Sequence, residues 1–244
     1  MMKSEINMTR IKFFILAFAV FASYASFADL VVDQAVIIIT DPQQTRQDLV
    51  ILNNDDEDRL FVEITPFDVI NAGEEDESLE PIDFESSPEF LVTPNRAILE
   101  PENESIIRML NLNHSGEKEL VYRINVLPIA PPPELDTPAE DDSIQPLVEI
   151  VVGYQVLVII LPDSPEALLE YQREGNTINF SNNGNANYIL VEGEQCNPAD
   201  PSECQPLPIK RMYPGNNWQL DLPYDGPIAY TVRSHTGSSA QILD

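Results

Sequence analysis

An all-β fold is what this sequence predicts, on three observations. From Asp29 onward, short apolar runs alternate with turn residues, helix-period segments are nearly absent, and the longest apolar run is rich in Val and Ile. That run, "LVEIVVGYQVLVIILP" from Leu147 to Pro162, is too short for a membrane helix. Its β-branched content favours an extended strand.

The elements follow in chain order. The first thirty residues, "MMKSEINMTRIKFFILAFAVFASYASFADL", place Lys3, Arg10 and Lys12 before an apolar core that starts at Phe13, with small residues at Ser26 and Ala28. This is the order of a secretory signal peptide over residues 1–28, cut before Asp29. Its removal leaves ten Lys and Arg against forty Asp and Glu. A surface so acidic excludes nucleic-acid backbones and anionic membranes as partners, and no other segment is suited to membrane insertion.

Next come "LVVDQAVIIIT", "DLVILNN", "LFVEITPFDVI", "EFLVTPNRAILEP", "SIIRMLNLN", "ELVYRINVLPI" and the long apolar run. Seven extended runs make one immunoglobulin-like sandwich over residues 29–162. Of two long interruptions, "NAGEEDESLEPIDFESSP" reads as an acidic surface loop, and the proline-rich, acidic "PIAPPPELDTPAEDDSIQP" as either a segment that orders on binding or a surface loop. The second directly precedes the apolar strand. After Pro162, "TINFSNNGNANYILVEG", "LPIKRMYPGNNWQLDLP" and "IAYTVRSHTGSSAQIL" predict a smaller β-sandwich over residues 163–244. Cys196 and Cys204, the only cysteines, read as a disulfide of an exported chain. With only His114 and His235, both read as surface loop residues, the chain offers no zinc cluster or histidine-based nucleophile, and no cofactor is expected. Acidic runs such as "GEEDESLE" are solvated faces rather than a catalytic carboxylate pair, so the chain is not read as an enzyme.

Thr93-Pro94, Leu99-Glu100-Pro101, Ile107-Arg108, and Glu119 with Asn125 ahead of Leu127-Pro128 together resemble the periplasmic pilus-assembly chaperones of chaperone-usher systems. "NNGNANY" and "YPGNNW" are similar to landmarks of that family's second domain. The resemblance implies two immunoglobulin-like domains set at an angle, a periplasmic location, pilus or fimbrial subunits as partners, and delivery to an outer-membrane usher. It also implies that the last strand of the first domain is lent to a subunit. Period two puts Val148, Ile150, Val152, Tyr154 and Val156 on one face of that strand, with Glu149, Gly153 and Gln155 on the other. From the residues alone, the strand is either such a donor or a central strand of its own core.

The chain departs from the family's usual pattern where basic residues anchor a subunit's terminal carboxylate. Gln34 and Leu157 align with those two positions, and Leu161 stands where an arginine would bridge to Glu119. This places the chain closer to an archaic-like branch. Arg123, on the strand beside the donor, is the candidate anchor, and Arg108 matches a surface residue with a structural or usher-facing role. The alternative is a secreted pilus subunit or adhesin. A complete set of strands after "LVVDQAVIII" and a second domain disfavour it.

Overall fold

The computed structural model describes residues 29–41, 43–83, 89–112, 116–130 and 151–244. Among them there is no helix, and the strands assemble two β-sandwich domains. The expected signal peptide, His114, and Val148 and Ile150 of the apolar strand lie outside the described residues.

The first sandwich uses ten strands: β1 (Leu30–Val32), β2 (Val36–Ile39), β3 (Arg46–Asn53), β4 (Leu60–Ile70), β5 (Ser78–Pro81), β6 (Phe90–Thr93), β7 (Arg96–Leu99), β8 (Glu104–Asn111), β9 (Leu120–Ile129) and β10 (Tyr154–Ile160). One sheet runs β1-β3-β8-β6 and the other β2-β10-β9-β4-β5, with β7 also paired to β4. Two of the seven apolar runs are therefore each split between sheets. "LVVDQAVIII" crosses at Asp33–Ala35, where the Asp33 N–H donates to the Val50 carbonyl and its Oδ1 accepts from the Val50 N–H, both at 3.0 Å. "FLVTPNRAIL" crosses at a cis Thr93-Pro94 bond.

The core fills with alternate residues from both sheets. Leu49, Ile51, Ile107 and Met109 meet Val62, Ile64, Ile124 and Val126. Phe90 of one sheet stacks on Tyr122 of the other with ring centroids 4.2 Å apart.

The second sandwich comprises β11 (Leu169–Glu174), β12 (Thr177–Asn182), β13 (Tyr188–Asn197), β14 (Asp200–Leu207), β15 (Lys210–Met212), β16 (Asn217–Asp221), β17 (Ile228–Ser234) and β18 (Gly237–Leu243). Its sheets are β11-β12-β16 and β14-β13-β17-β18, with β15 also on β13. Cys196 and Cys204 face each other across β13 and β14 and form the expected disulfide.

Strand β10 joins the two sandwiches. Val156, Val158 and Ile160 point into the first core, while Leu157 and Ile159, with Leu161 just beyond the strand, point the opposite way. There they pack with Val121 and Val69 against Ala186 and Tyr213 of the second sandwich. Both faces of this stretch are buried, which explains a run with almost no polar punctuation.

The acidic interruption after β4 is more than the surface loop read from its charges. Its part Ser78–Pro81 is β5, and the turn before it docks on the second sandwich. Asn216 Nδ2 donates to the Ala72 carbonyl at 3.0 Å and to Glu74 Oε1 at 2.7 Å, and Lys210 Nζ donates to the Gly73 carbonyl at 2.7 Å. Gly73 has φ of +79°, and a Cβ there would lie 2.5 Å from Asn216 Oδ1. Only glycine fits both the backbone and the space.

Truncating Ile160 to Ala should cost about 2–5 kcal/mol, since a wholly buried side chain leaves a cavity in the first core between the two sheets. Urea unfolding of the purified protein measures this as a lowered midpoint at unchanged slope.

Candidate functional site

The candidate site begins where β10 loses a neighbour. Strand β2 pairs with it in parallel only from Leu157 to Ile160, because the chain before Val36 turns away to the other sheet. The last backbone bond on that side runs from the Leu157 N–H to the Ala35 carbonyl at 3.0 Å. Strand β9 stays paired as far as Tyr154 opposite Val126. Tyr154 to Val156 thus have a partner on one side and an open edge on the other.

Side chains show the same boundary. Val156 is 0% exposed within the first core and Tyr154 is half-buried against it, while Val152 is 46% and Val151 53% exposed. Of the face expected to meet a partner, Val156 therefore belongs to the protein's own core, Tyr154 lies at its margin and Val152 lies beyond it. The core-facing residues of the strand overrun the core they fill. Among the described residues of the run the regular ladder begins at Tyr154, and residues 147–150 lie outside them. At Gly153 a Cβ would fall 2.3 Å from Leu127 Cδ2, the end of an exposed side chain that would have to move aside, and 3.3 Å from the Val126 carbonyl oxygen.

The outer face of this sheet is arranged in cross-strand rows. Nearest the second sandwich, Ile38, Ile159 and Val121 form an apolar row. Next lie Val36, Leu157, Arg123 and Phe67. Gln155, Asn125 and Thr65 follow, with Gln155 Nε2 donating to Asn125 Oδ1 at 3.0 Å. Leu127, Glu63 and Arg96 come after them, Arg96 Nη2 lying 2.8 Å from Glu63 Oε1. Farthest out, Ile129, Phe61 and Ile98 make a second apolar row that the second sandwich does not cover.

The position facing Leu157 on the first strand pair is Val36, not Gln34, which is exposed and donates to Asp33. Neither is basic. Arg123 is the cation of this row, directly opposite Leu157, with its Nη2 3.9 Å from Glu77 Oε1 and its buried Nε without a hydrogen-bond partner. Arg108 is elsewhere, on the β3–β8 sheet, where register sets it opposite Asp48. Its Nε donates to Asp48 Oδ1 at 2.9 Å, Arg46 contacts the same carboxylate, and together they hold the Asp48 carboxyl well below the usual carboxylate range.

Glu119 finds a substitute for the missing arginine. With Leu161 buried in the seam, Glu119 Oε2 instead accepts from the Asn187 backbone N–H at 2.8 Å and from its Nδ2 at 2.7 Å. The Glu119 N–H donates to the Asn185 carbonyl at 3.1 Å. Asn187 also accepts from Arg211 Nη1 through its Oδ1. Glu119 Oε1 is buried without a partner. Burial pushes the Glu119 carboxyl up to about 7, against the pull of the Asn187 hydrogen bonds and the Arg211 charge.

No family model and no curated protein sequence matches this chain. Solved structures do. Escherichia coli chaperone DraB matches at 17% identity and a TM-score of 0.63, covering 88% of this chain and 95% of that one. The fold is that of the fimbrial chaperones. A chain from the complex of Salmonella enterica SafA pilin with the SafB chaperone matches at 17% identity and a TM-score of 0.61, over 90% of this chain and 99% of that one. A chain from the CsuC–CsuE pre-assembly complex of the archaic chaperone-usher Csu pili of Acinetobacter baumannii matches at 12% identity and a TM-score of 0.60, over 88% and 98%. Within this chaperone fold, the open edge lies at the start of the last strand of the first sandwich.

Because the Glu119 carboxyl is pushed up in the folded chain, the folded state holds a proton more tightly than the unfolded one. Stability from this group is then greatest below about 4.5, the ordinary value, and is lost as pH rises toward about 7. Glu119→Gln should be more stable than the parent at pH 8, by on the order of 1–3 kcal/mol, with the difference vanishing near pH 4. Thermal melts of both proteins across that range check the sign.

Proposed function

We propose that the protein is an exported chaperone that binds pilus or fimbrial subunits by lending them the start of β10 as a strand, and that it passes them to an outer-membrane usher in the periplasm. The single observation that carries this reading is the open edge at Tyr154 to Val156, where exposed Val152 prolongs the row that Val156, Val158 and Ile160 continue into the core. A subunit seated on that edge would gain backbone hydrogen bonds along β10 and extend the core beyond Tyr154. Val148 and Ile150 continue the same alternation in sequence. Each such side chain buried contributes roughly 1.5–3 kcal/mol before the cost of ordering. An unpaired apolar edge is also an aggregation hazard, which a bound subunit removes.

Two of the matched structures are complexes, one of a chaperone with a pilin and one of a chaperone with a tip subunit, and both support this assignment of partner. Residues 1–28 supply the export signal in this reading, since pilus assembly takes place outside the cytoplasm. Arg123 is the proposed anchor for a subunit's terminal carboxylate. It lies on β9 directly opposite Leu157 and on the same face, and its Nε has no hydrogen-bond partner. A carboxylate there would accept charge-assisted hydrogen bonds. Arg108, tied to Asp48 on the other sheet, lies away from this face and suits a structural or usher-facing role.

Co-expression with a subunit gene and purification from the periplasm tests the reading. Val152→Ser combined with Val148→Ser and Ile150→Ser should abolish subunit recovery. The single Val152→Ser change should leave the stability of the free protein within about 0.5 kcal/mol, because that side chain is exposed. Recovery undiminished by the triple change would refute strand donation.

Arg123→Ala should lower recovery at least tenfold while Arg108→Ala leaves it unchanged. Equal recovery with both would remove Arg123 from the anchor role.

A further inference from the structure

A pair of arginines contributed by the second sandwich lies on the seam. Strand β13 is flanked by β15 and β17, and register places Arg211 and Arg233 on either side of the same residue, Ile189. Directly opposed residues of neighbouring strands share a face, so both arginines stand in one row with a single isoleucine between them. This row, with His235 from the β17–β18 turn and Ile38 and Leu161 from the first sandwich, lines a cavity of about 290 Å³. His235 is thus no plain surface residue. It is half-buried, and its Nδ1 is enclosed without a hydrogen-bond partner.

The charge in this cavity runs against the rest of the molecule. The chain carries 13 Lys and Arg against 41 Asp and Glu, and two larger cavities are lined by Glu74, Glu75 and Asp76 or by Asp68, Glu74 and Glu119. No carboxylate lines this one. Among the described residues, Arg211 has no carboxylate within 4.0 Å, and its hydrogen bond goes to the neutral Asn187. Arg233 makes one contact, from Nη2 to Glu192 Oε1 at 2.7 Å, between two half-exposed side chains. Two like charges in one strand row repel, and a partly buried cation lacks the solvation it would have in water. An anion in the cavity relieves both costs.

We propose that this cavity binds an organic anion, a carboxylate on a short aliphatic chain. The planar carboxylate matches the fork of a guanidinium, and Ile38, Leu161 and Ile189 provide an apolar wall for the alkyl part. The volume admits a chain of only a few carbons. Such a group is carried either by a free small acid or by the carboxyl end of a polypeptide. The inference goes beyond the strand-donation reading, and its test uses the full-length mature protein without any subunit, so either can fail alone.

The test is a titration with 4-methylpentanoate, followed by calorimetry and by the methyl NMR shifts of Ile38 and Ile189. Binding is expected, with shifts confined to those methyls. Arg211→Gln and Arg233→Gln should each weaken it at least tenfold in proteins whose melting curves match the parent. Two variants guard against a folding defect in either one. The neutral 4-methylpentanamide should not bind. The peptide acetyl-Ala-Ala-Leu, with a free or an amidated carboxyl end, separates the sources. Tighter binding of its free-acid form than of 4-methylpentanoate assigns the site to a chain end, and binding of the small acid alone assigns it to a free acid. Equal binding of the amide, or binding unaffected by both arginine changes, would overturn the proposal.

Discussion

Seven register pairs between β9 and β10, from Tyr154 opposite Val126 to Ile160 opposite Leu120, fix the strand on which the rest of the molecule depends. With the backbone held there, period two sends Val156, Val158 and Ile160 into one core and Leu157 and Ile159 into the seam with the other sandwich. A slip of one residue would exchange the two sets and empty both places. The same ladder carries the strand outward past the point where β2 leaves it. Core, seam and open edge are thus consequences of one pairing.

Among the described residues, the seam is held by apolar packing and by hydrogen bonds that join a charged group to a neutral one rather than by an ion pair. Asn187 stands between Glu119 and Arg211, donating to the one and accepting from the other, so the two charges communicate through an amide. Replacing a direct pair in this way avoids fixing two charges in strict geometry, but leaves Glu119 Oε1 unsatisfied. The docking of Ala72 and Gly73 on Asn216 and Lys210 adds backbone contacts at the other end of the same seam.

Much of this was legible in the sequence. The apolar run before Pro162, the turn spacing and the cysteine pair give the all-β fold and the disulfide, because each is a local pattern. What the run could not disclose is where its own core ends. Val152, Tyr154 and Val156 share a face, yet Val156 is enclosed and Val152 is not, and the difference arises from the departure of β2 at Asp33–Ala35, more than a hundred residues away. The seam role of the acidic turn was hidden because carbonyls of Ala72 and Gly73 make it, and carbonyls leave no mark in composition. Arg211 and Arg233 were passed over for a related reason. They meet across Ile189 only once two separate strands pair with β13. A faint signal existed, in that few cations remain in so acidic a chain and four of them, Arg173, Lys210, Arg211 and Arg233, fall in the second sandwich at strand positions.

Amide hydrogen exchange tests most directly whether the edge of β10 accepts another chain. The Leu157 N–H already donates to Ala35, and alternation turns the Gln155 N–H to the same side, ahead of Val36, the first residue of β2. In the free protein, Gln155 should exchange fast and Leu157 slowly. On binding a subunit, Gln155 should become protected at least a hundredfold while Leu157 changes little. A subunit that binds and leaves the Gln155 amide exchanging as before would contradict strand donation.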